Sequence, residues 1–151
     1  MKAVILYASF TGNTRIIAHA IAEGLREGGV DISVQDVRKA KPEDLEHADI
    51  LVVGSATYGG RPMRRAVKFL GRLPDGVFEA KVCGVYAVNA SRGGSDVIEE
   101  LSRLLMEKGI EEVVAGPVIA AGIPFIPLRR PTSEDLKSAR EFGKALLEAE
   151  R

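Results

Sequence analysis

Residues 2–15 read KAVILYASFTGNTR, and IIAHAIAEGL follows at 16–25. The run 2–8 is apolar and suits a buried strand. Ile16, Ile17, Ala20, Ile21, Gly24 and Leu25 fall on one stripe of a helix over about 14–28, which Gly28-Gly29 stops. Between strand and helix stand Ser9, Thr11, Asn13 and Thr14 around the single Gly12. Such a turn offers a phosphate the unpaired N–H groups and the positive dipole end of a helix N-terminus. The polar side chains add donors, and Gly12 lets the backbone curl closely. The loop lacks the lysine and spacing of a Walker A motif, the GxGxxG pattern and a nucleophilic cysteine. It therefore points to holding a phosphate rather than transferring one. The competing reading is a plain N-cap and turn, where Ser, Thr and Asn are favoured anyway.

The same alternation continues along the chain. DISVQDV (31–37) is followed by a short helical piece near 42–47, ADILVVGS (48–55) by a helix at about 62–72, and KVCGVYAV (81–88) by one at about 95–108. EEVVAGPVIAA (111–121) leads through a proline-rich loop to a last helix at about 133–149, with Thr132 as its N-cap. Five βα units imply a parallel sheet covered by helices on both faces, an α/β three-layer sandwich. Strands buried on both faces read as continuous apolar runs, as the first, third and fourth do. The second alternates, with Ile32 and Val34 between polar residues, and the fifth contains Pro117, which cannot donate to a ladder; both suit edges. A five-stranded parallel sheet of order 2-1-3-4-5 follows. Its ligand site lies beyond the carboxyl ends of strands one and three, where the strand order reverses. Loops 9–14, 55–62 and 89–95 converge there.

Composition narrows the function. The chain has 151 residues, enough for one domain over 1–151, with a formal net charge of +0. Balanced charge argues against nucleic acid or an anionic membrane as partner. No apolar run is long enough to span a bilayer, and no signal-peptide pattern opens the chain. Cys83 is the single cysteine, so no internal disulfide forms and a reducing, cytoplasmic setting is expected. With only His19 and His47 beside it, no Cys/His metal site is expected. Cys83 reads as a small core residue, while Tyr7 and Tyr86 end strands near the site and read as packing.

SFTGNT (9–14) resembles the phosphate loop of the flavodoxin family, roughly [ST]-x-T-G-x-T after the first strand. That family is itself the standing example of the switch-point rule. GSATYGGRP (54–62) resembles its second flavin loop, and NASRGGSD (89–96) occupies the third. GSATYGGRP and RPTSEDLKSAREFGKALLEA particularly resemble the flavodoxin-like domain of A-type flavoproteins, the flavo-diiron proteins. No diiron domain accompanies the match, so chemistry at such a centre is not implied. The resemblance implies FMN as cofactor and a flavodoxin-like electron carrier, with no catalytic side chain and no metal. Ser9, Phe10, Thr11, Gly12, Asn13 and Thr14 would wrap the phosphate. Ala56, Thr57, Tyr58, Gly59 and Gly60 would form the second wall, Tyr58 stacking on the ring and the Gly59 carbonyl accepting from flavin N5–H after reduction. Asn89, Ala90, Ser91, Arg92 and Gly93 would meet the pyrimidine edge, with Arg92 near N1–C2=O or simply solvated. The third loop departs from the family in carrying no aromatic residue.

Arg61, Arg64, Arg65, Lys68 and Arg72 cluster with no acid between 55 and 74, and Arg129-Arg130 precede the last helix. A basic rim beside a flavin suits docking of an acidic redox protein, or of a pyridine nucleotide phosphate, and competes with a merely solvated face. A homodimer is a further way to cover the site. The alternative function is an NAD(P)H-dependent FMN quinone reductase; a third is a flavodoxin-like interaction module without flavin.

Overall fold

A computed structural model describes residues 1–75, 82–90, 93–121 and 130–150. The elements are β1 (Lys2–Ala8), α1 (Asn13–Arg26), β2 (Asp31–Asp36), a 3-10 turn (Pro42–Leu45), β3 (Ile50–Tyr58), β4 (Arg61–Pro62), α2 (Arg64–Gly71), β5 (Val82–Asn89), α3 (Gly94–Glu107), β6 (Val113–Ala120) and α4 (Ser133–Glu150). The parallel strands run in the order β2-β1-β3-β5-β6, which is the expected 2-1-3-4-5.

Alternation along each strand sorts the core into two layers. Ala3, Ile5, Ile50, Val52 and Val82 pack with Ile17, Ile21 and Leu25 of α1 and Ala139, Phe142 and Leu146 of α4. Val4, Leu6, Leu51, Val53, Cys83 and Val85 pack with Ala66, Phe69 and Leu70 of α2 and Val97, Leu101 and Leu105 of α3. β1, β3 and β5 are buried on both faces over most of their length, whereas β2 is half-buried and β6 mixes half-buried with exposed positions. The two edges are thus the strands that read as edges. Along the β5–β6 ladder, Val85 pairs with Ala115 but Ala87 pairs with Val118, so β6 takes one extra residue at Gly116-Pro117. A bulge there absorbs the proline that cannot join the ladder.

The five-stranded expectation needs correction. β4 pairs antiparallel with the end of β3, Tyr58 opposite Arg61 and Thr57 opposite Pro62, which makes six strands. The physical reason is Gly59-Gly60: both sit at positive φ, 58° and 76°, as the two central residues of a type I′ hairpin turn must. β3 therefore runs through Tyr58 instead of stopping at 55, and α2 begins only at Arg64.

α1 and α4 approach backbone to backbone. A Cβ on Gly24 would lie 2.1 Å from the Arg140 carbonyl oxygen, and one on Gly143 would lie 2.4 Å from that of Ile21. α4 is started by the expected Thr132 cap. The Asp135 N–H donates to Thr132 Oγ1 at 3.2 Å, and the Thr132 N–H donates back to Asp135 Oδ2 at 2.8 Å.

A candidate flavin site at the carboxyl ends of the strands

β1 delivers the chain at Ala8, and the 9–14 turn carries it into α1. The Gly12 N–H donates to Ser9 Oγ at 2.9 Å, closing the turn with a side chain. Gly12 caps α1 at φ 90°, a conformation open to glycine and strained for other residues. No side-chain bond caps the helix, so its first turn faces the loop as a ring of backbone donors. The Asn13 and Thr14 side chains are buried, while Ser9 and Thr11 are half-buried and Phe10 stands 78% exposed.

Two arginines hold this turn. Arg65, in the first turn of α2, donates from Nη2 to the Ser9 carbonyl. Arg130, just ahead of α4, donates from Nη1 to the Thr11 carbonyl at 2.8 Å and to Asn13 Oδ1 at 3.0 Å. The basic rim is therefore not uniform: Arg61 and Arg64 are exposed, whereas Arg65 is drawn inward. Arg129 lies outside the described residues.

The second wall is the β3–β4 hairpin. Ser55 braces it, accepting from the Met63 N–H at 2.9 Å and donating to the Ala56 carbonyl at 2.7 Å. Ala56 and Thr57 are half-buried, and Tyr58 is 76% exposed. Phe10 and Tyr58 line one open cleft of about 720 Å³ with Pro62, Met63 and the three arginines 61, 64 and 65. Two exposed rings over an apolar floor make a surface suited to a flat heterocycle.

In the third segment Asn89 is buried at the end of β5, Ala90 is exposed, and Gly93 caps α3 at φ 99°. Ser91 and Arg92 lie outside the described residues. Gly93 packs so closely on the hairpin that a Cβ there would sit 2.8 Å from Gly60 Cα. The three loops thus converge as expected. Among the described residues, the buried side-chain polar atoms with no hydrogen-bond partner are Thr57 Oγ1, Asn89 Oδ1 and Arg65 Nε. All three belong to this end of the sheet, where a buried polar group left unmatched is costly unless a ligand or water meets it.

Sequence reasoning read Tyr86 as packing alone and missed its contact with the first turn of α1. Its ring lies across Gly54, its partner on β3, where a Cβ would come 2.0 Å from Tyr86 Cζ. Its hydroxyl donates to the Thr14 carbonyl at 2.8 Å, bracing the first turn of α1 from beneath. Glycine inside the apolar run ADILVVGS was the available signal, because such a glycine marks a close approach. Burial, and secondarily the Tyr7 phenol, holds the Tyr86 phenol well above its ordinary range. Burial also pushes the Cys83 thiol up to about 12, so it stays protonated and inert. At the outer margin of the site, burial raises the Asp36 carboxyl, but hydrogen bonds and charge from Arg38 at 2.8 Å outweigh this and leave it lowered. Among the described residues no cluster of three or more His, Cys, Asp or Glu could hold a metal, and no helix is long and apolar enough to cross a membrane.

The model of the Flavodoxin family matches residues 5–121. A putative diflavin flavoprotein A 2 of Thermosynechococcus vestitus is 28% identical over 96% of this chain, which spans 25% of that protein. A flavodoxin of Aquifex aeolicus is 30% identical, covering 97% of this chain and 85% of the other. An NAD(P)H dehydrogenase (quinone) of Bradyrhizobium diazoefficiens is 26% identical, covering 99% and 97%. Among solved structures, Streptococcus pneumonia TIGR4 flavodoxin superposes with a TM-score of 0.76 at 26% identity, over 98% of this chain and 99% of the other. Rubredoxin oxygen:oxidoreductase from Desulfovibrio gigas gives a TM-score of 0.81 at 18% identity, over 99% of this chain and 36% of that one.

Proposed function

The chain belongs to the flavodoxin family, and from that premise we propose that it carries electrons on an FMN seated where the three loops meet. The observation that carries the placement is the set of unmatched buried polar atoms, Thr57 Oγ1, Asn89 Oδ1 and Arg65 Nε, gathered at one end of the sheet. A ligand with a phosphate and a polar ring edge bearing both N–H and C=O groups fits that set of one donor, one acceptor and one hydroxyl.

In this reading Ser9–Thr14 hold the phosphate through backbone N–H groups and the end of α1. Tyr58 would cover one face of the ring, and Thr57, Asn89, Ala90 and Gly93 would meet its polar edge. Bound FMN supplies the redox chemistry. The protein's part is to bind, orient and tune: Gly59, in a turn whose two glycines both sit at positive φ, would offer its carbonyl as the acceptor for the ring's N5–H. No side chain here has to act as acid or base. Phe10, Tyr58 and the exposed Arg61 and Arg64 form the face that meets an acidic redox protein, with a second copy of the chain as the competing cover. A buried, protonated Cys83 is at home in a reducing cytoplasm.

Titration of flavin-free protein with FMN and with riboflavin tests the phosphate. FMN is expected to bind at least tenfold more tightly, as one or two charge-assisted hydrogen bonds would give. Equal affinities would take the phosphate out of the reading. The NAD(P)H dehydrogenase (quinone) relative favours a second reading, hydride transfer from NAD(P)H to the bound flavin. Rapid mixing of NADPH with the FMN-loaded protein separates the two: bleaching within milliseconds to seconds marks a reductase, and hours of inertness a carrier.

A further inference from the structure

The 9–14 turn is gripped from both sides, by Arg65 through the Ser9 carbonyl and by Arg130 through the Thr11 carbonyl and Asn13 Oδ1. We propose that these two arginines are a clamp that presets the phosphate loop and makes the site select phosphorylated over unphosphorylated flavin. The inference rests on the reading that a flavin phosphate occupies this loop.

Geometry supplies the first reason. In a trans peptide the C=O and the following N–H point in opposite directions. Holding the Ser9 carbonyl on one side therefore turns the Phe10 N–H to the other. Holding the Thr11 carbonyl does the same for the Gly12 N–H, which indeed points into the turn toward Ser9 Oγ. Two peptide planes are fixed in this way before any ligand arrives: the Gly12 N–H closes the turn on Ser9 Oγ, and the Phe10 N–H is turned away from Arg65, which sets the turn's shape for an anion.

Charge supplies the second. The loop SFTGNT contains no cation, so without help it meets a dianion with only the partial charge of a helix end, about half an elementary charge. Arg130 Nη1 lies 3.4 Å from where a Cβ on Gly12 would stand, so its guanidinium touches the turn itself. Among the described residues, both of its bonds use Nη1. A guanidinium carries donors on Nε and Nη2 as well, in a planar fork that matches phosphate oxygens. Arg65 likewise keeps a buried Nε without a partner among the described residues.

The third reason is that the two arginines come from different loops, one before α4 and one opening α2. The phosphate loop is thereby tied to both of its neighbours: Arg65 is drawn inward, and Arg130, though exposed, is bonded to the turn. They act on the phosphate through the loop and through charge, as positioning residues.

The test uses Arg65→Ala, Arg130→Ala and the corresponding lysine variants, each titrated with FMN and with riboflavin at low and high salt. Each alanine variant is expected to lose at least tenfold in FMN affinity and less than twofold in riboflavin affinity, and to show a flatter salt dependence. Each lysine variant is expected to keep the salt dependence while recovering part of the affinity. Equal losses for both flavins, or no loss for either, would overturn the clamp. A wild-type protein that does not distinguish FMN from riboflavin would overturn the phosphate reading, and the clamp with it. A measurement on the unaltered chain covers variants that fail to fold: the Arg65 and Arg130 Nε–H resonances should both shift on titration with inorganic phosphate, and stationary resonances would reject the proposal.

Discussion

At the scale of single residues, buried titratable groups set how the protein responds to pH. The Cys83 thiol is held at about 12 in the fold, against 9.0 for an ordinary thiol. Its contribution to stability is complete below pH 9 and is lost as pH rises toward 12, because the unfolded chain releases that proton first. The slope is about 1.4 kcal/mol per pH unit for one such group. The Tyr86 phenol, also raised, adds to it above its own ordinary value of 10.0. Urea midpoints should thus be flat from pH 7 to 8.5 and fall above pH 9; Cys83→Ala should flatten the fall between pH 9 and 10. A midpoint independent of pH up to 10.5 would show that Cys83 ionises freely in the fold. The core role of Cys83 was legible in the apolar run KVCGVYAV. The brace from Tyr86 to Thr14 was not, since it joins residues 72 apart and depends on Gly54 lying directly beside it.

At the scale of elements, the tightest constraint is the α1–α4 contact. Alanine normally favours a helix over glycine by about 1 kcal/mol. At Gly24 and Gly143 the added methyl would press into the backbone of the opposite helix, at 2.1 and 2.4 Å. Overpacking of this kind costs about 1–3 kcal/mol or more, so it outweighs the propensity gain. Gly24→Ala and Gly143→Ala should each lower the thermal midpoint, while Gly71→Ala, on an exposed stretch of α2 with nothing near the new Cβ, should leave it level or raise it. If all three behave alike, helix propensity rather than contact governs the glycines. Strand identity and order were legible, because continuous apolar runs, an alternating run and a proline mark central and edge positions directly. The β3–β4 hairpin was not: Thr57, Tyr58, Arg61 and Pro62 carry no apolar alternation, and the Gly59-Gly60 pair reads equally well as an open loop.

At the scale of the whole molecule, a net charge of +0 conceals a stretch, 55–74, that carries basic residues and no acid. Arg61 and Arg64 stand exposed beside the cleft shared by Phe10 and Tyr58. Electron transfer to an acidic partner should slow as salt rises from low to physiological strength, since screening shortens the reach of rim charges to about 8 Å. Arg61→Glu with Arg64→Glu should slow it at low salt by tenfold or more and leave FMN affinity within twofold. Stopped-flow rates indifferent to both changes would return these residues to an ordinary solvated face. The convergence of the three loops was legible from the strand order alone. The division of labour among the arginines was not, because Arg65 and Arg130 reach the 9–14 turn from 56 and 119 residues away, a distance that no local pattern spans.

The bulge at Gly116-Pro117 also bears on how the molecule behaves in a crowded solution. Among the described residues β6 closes one side of the sheet, and Ala115, Val118 and Ala120 on it are exposed. A straight apolar strand in that position is a template on which another polypeptide can add a rung and begin to aggregate. Proline removes one donor from that template, and the extra residue bends the strand out of register with any incoming partner. A short irregularity in one edge strand thus helps keep the chain from assembling into extended cross-strand stacks.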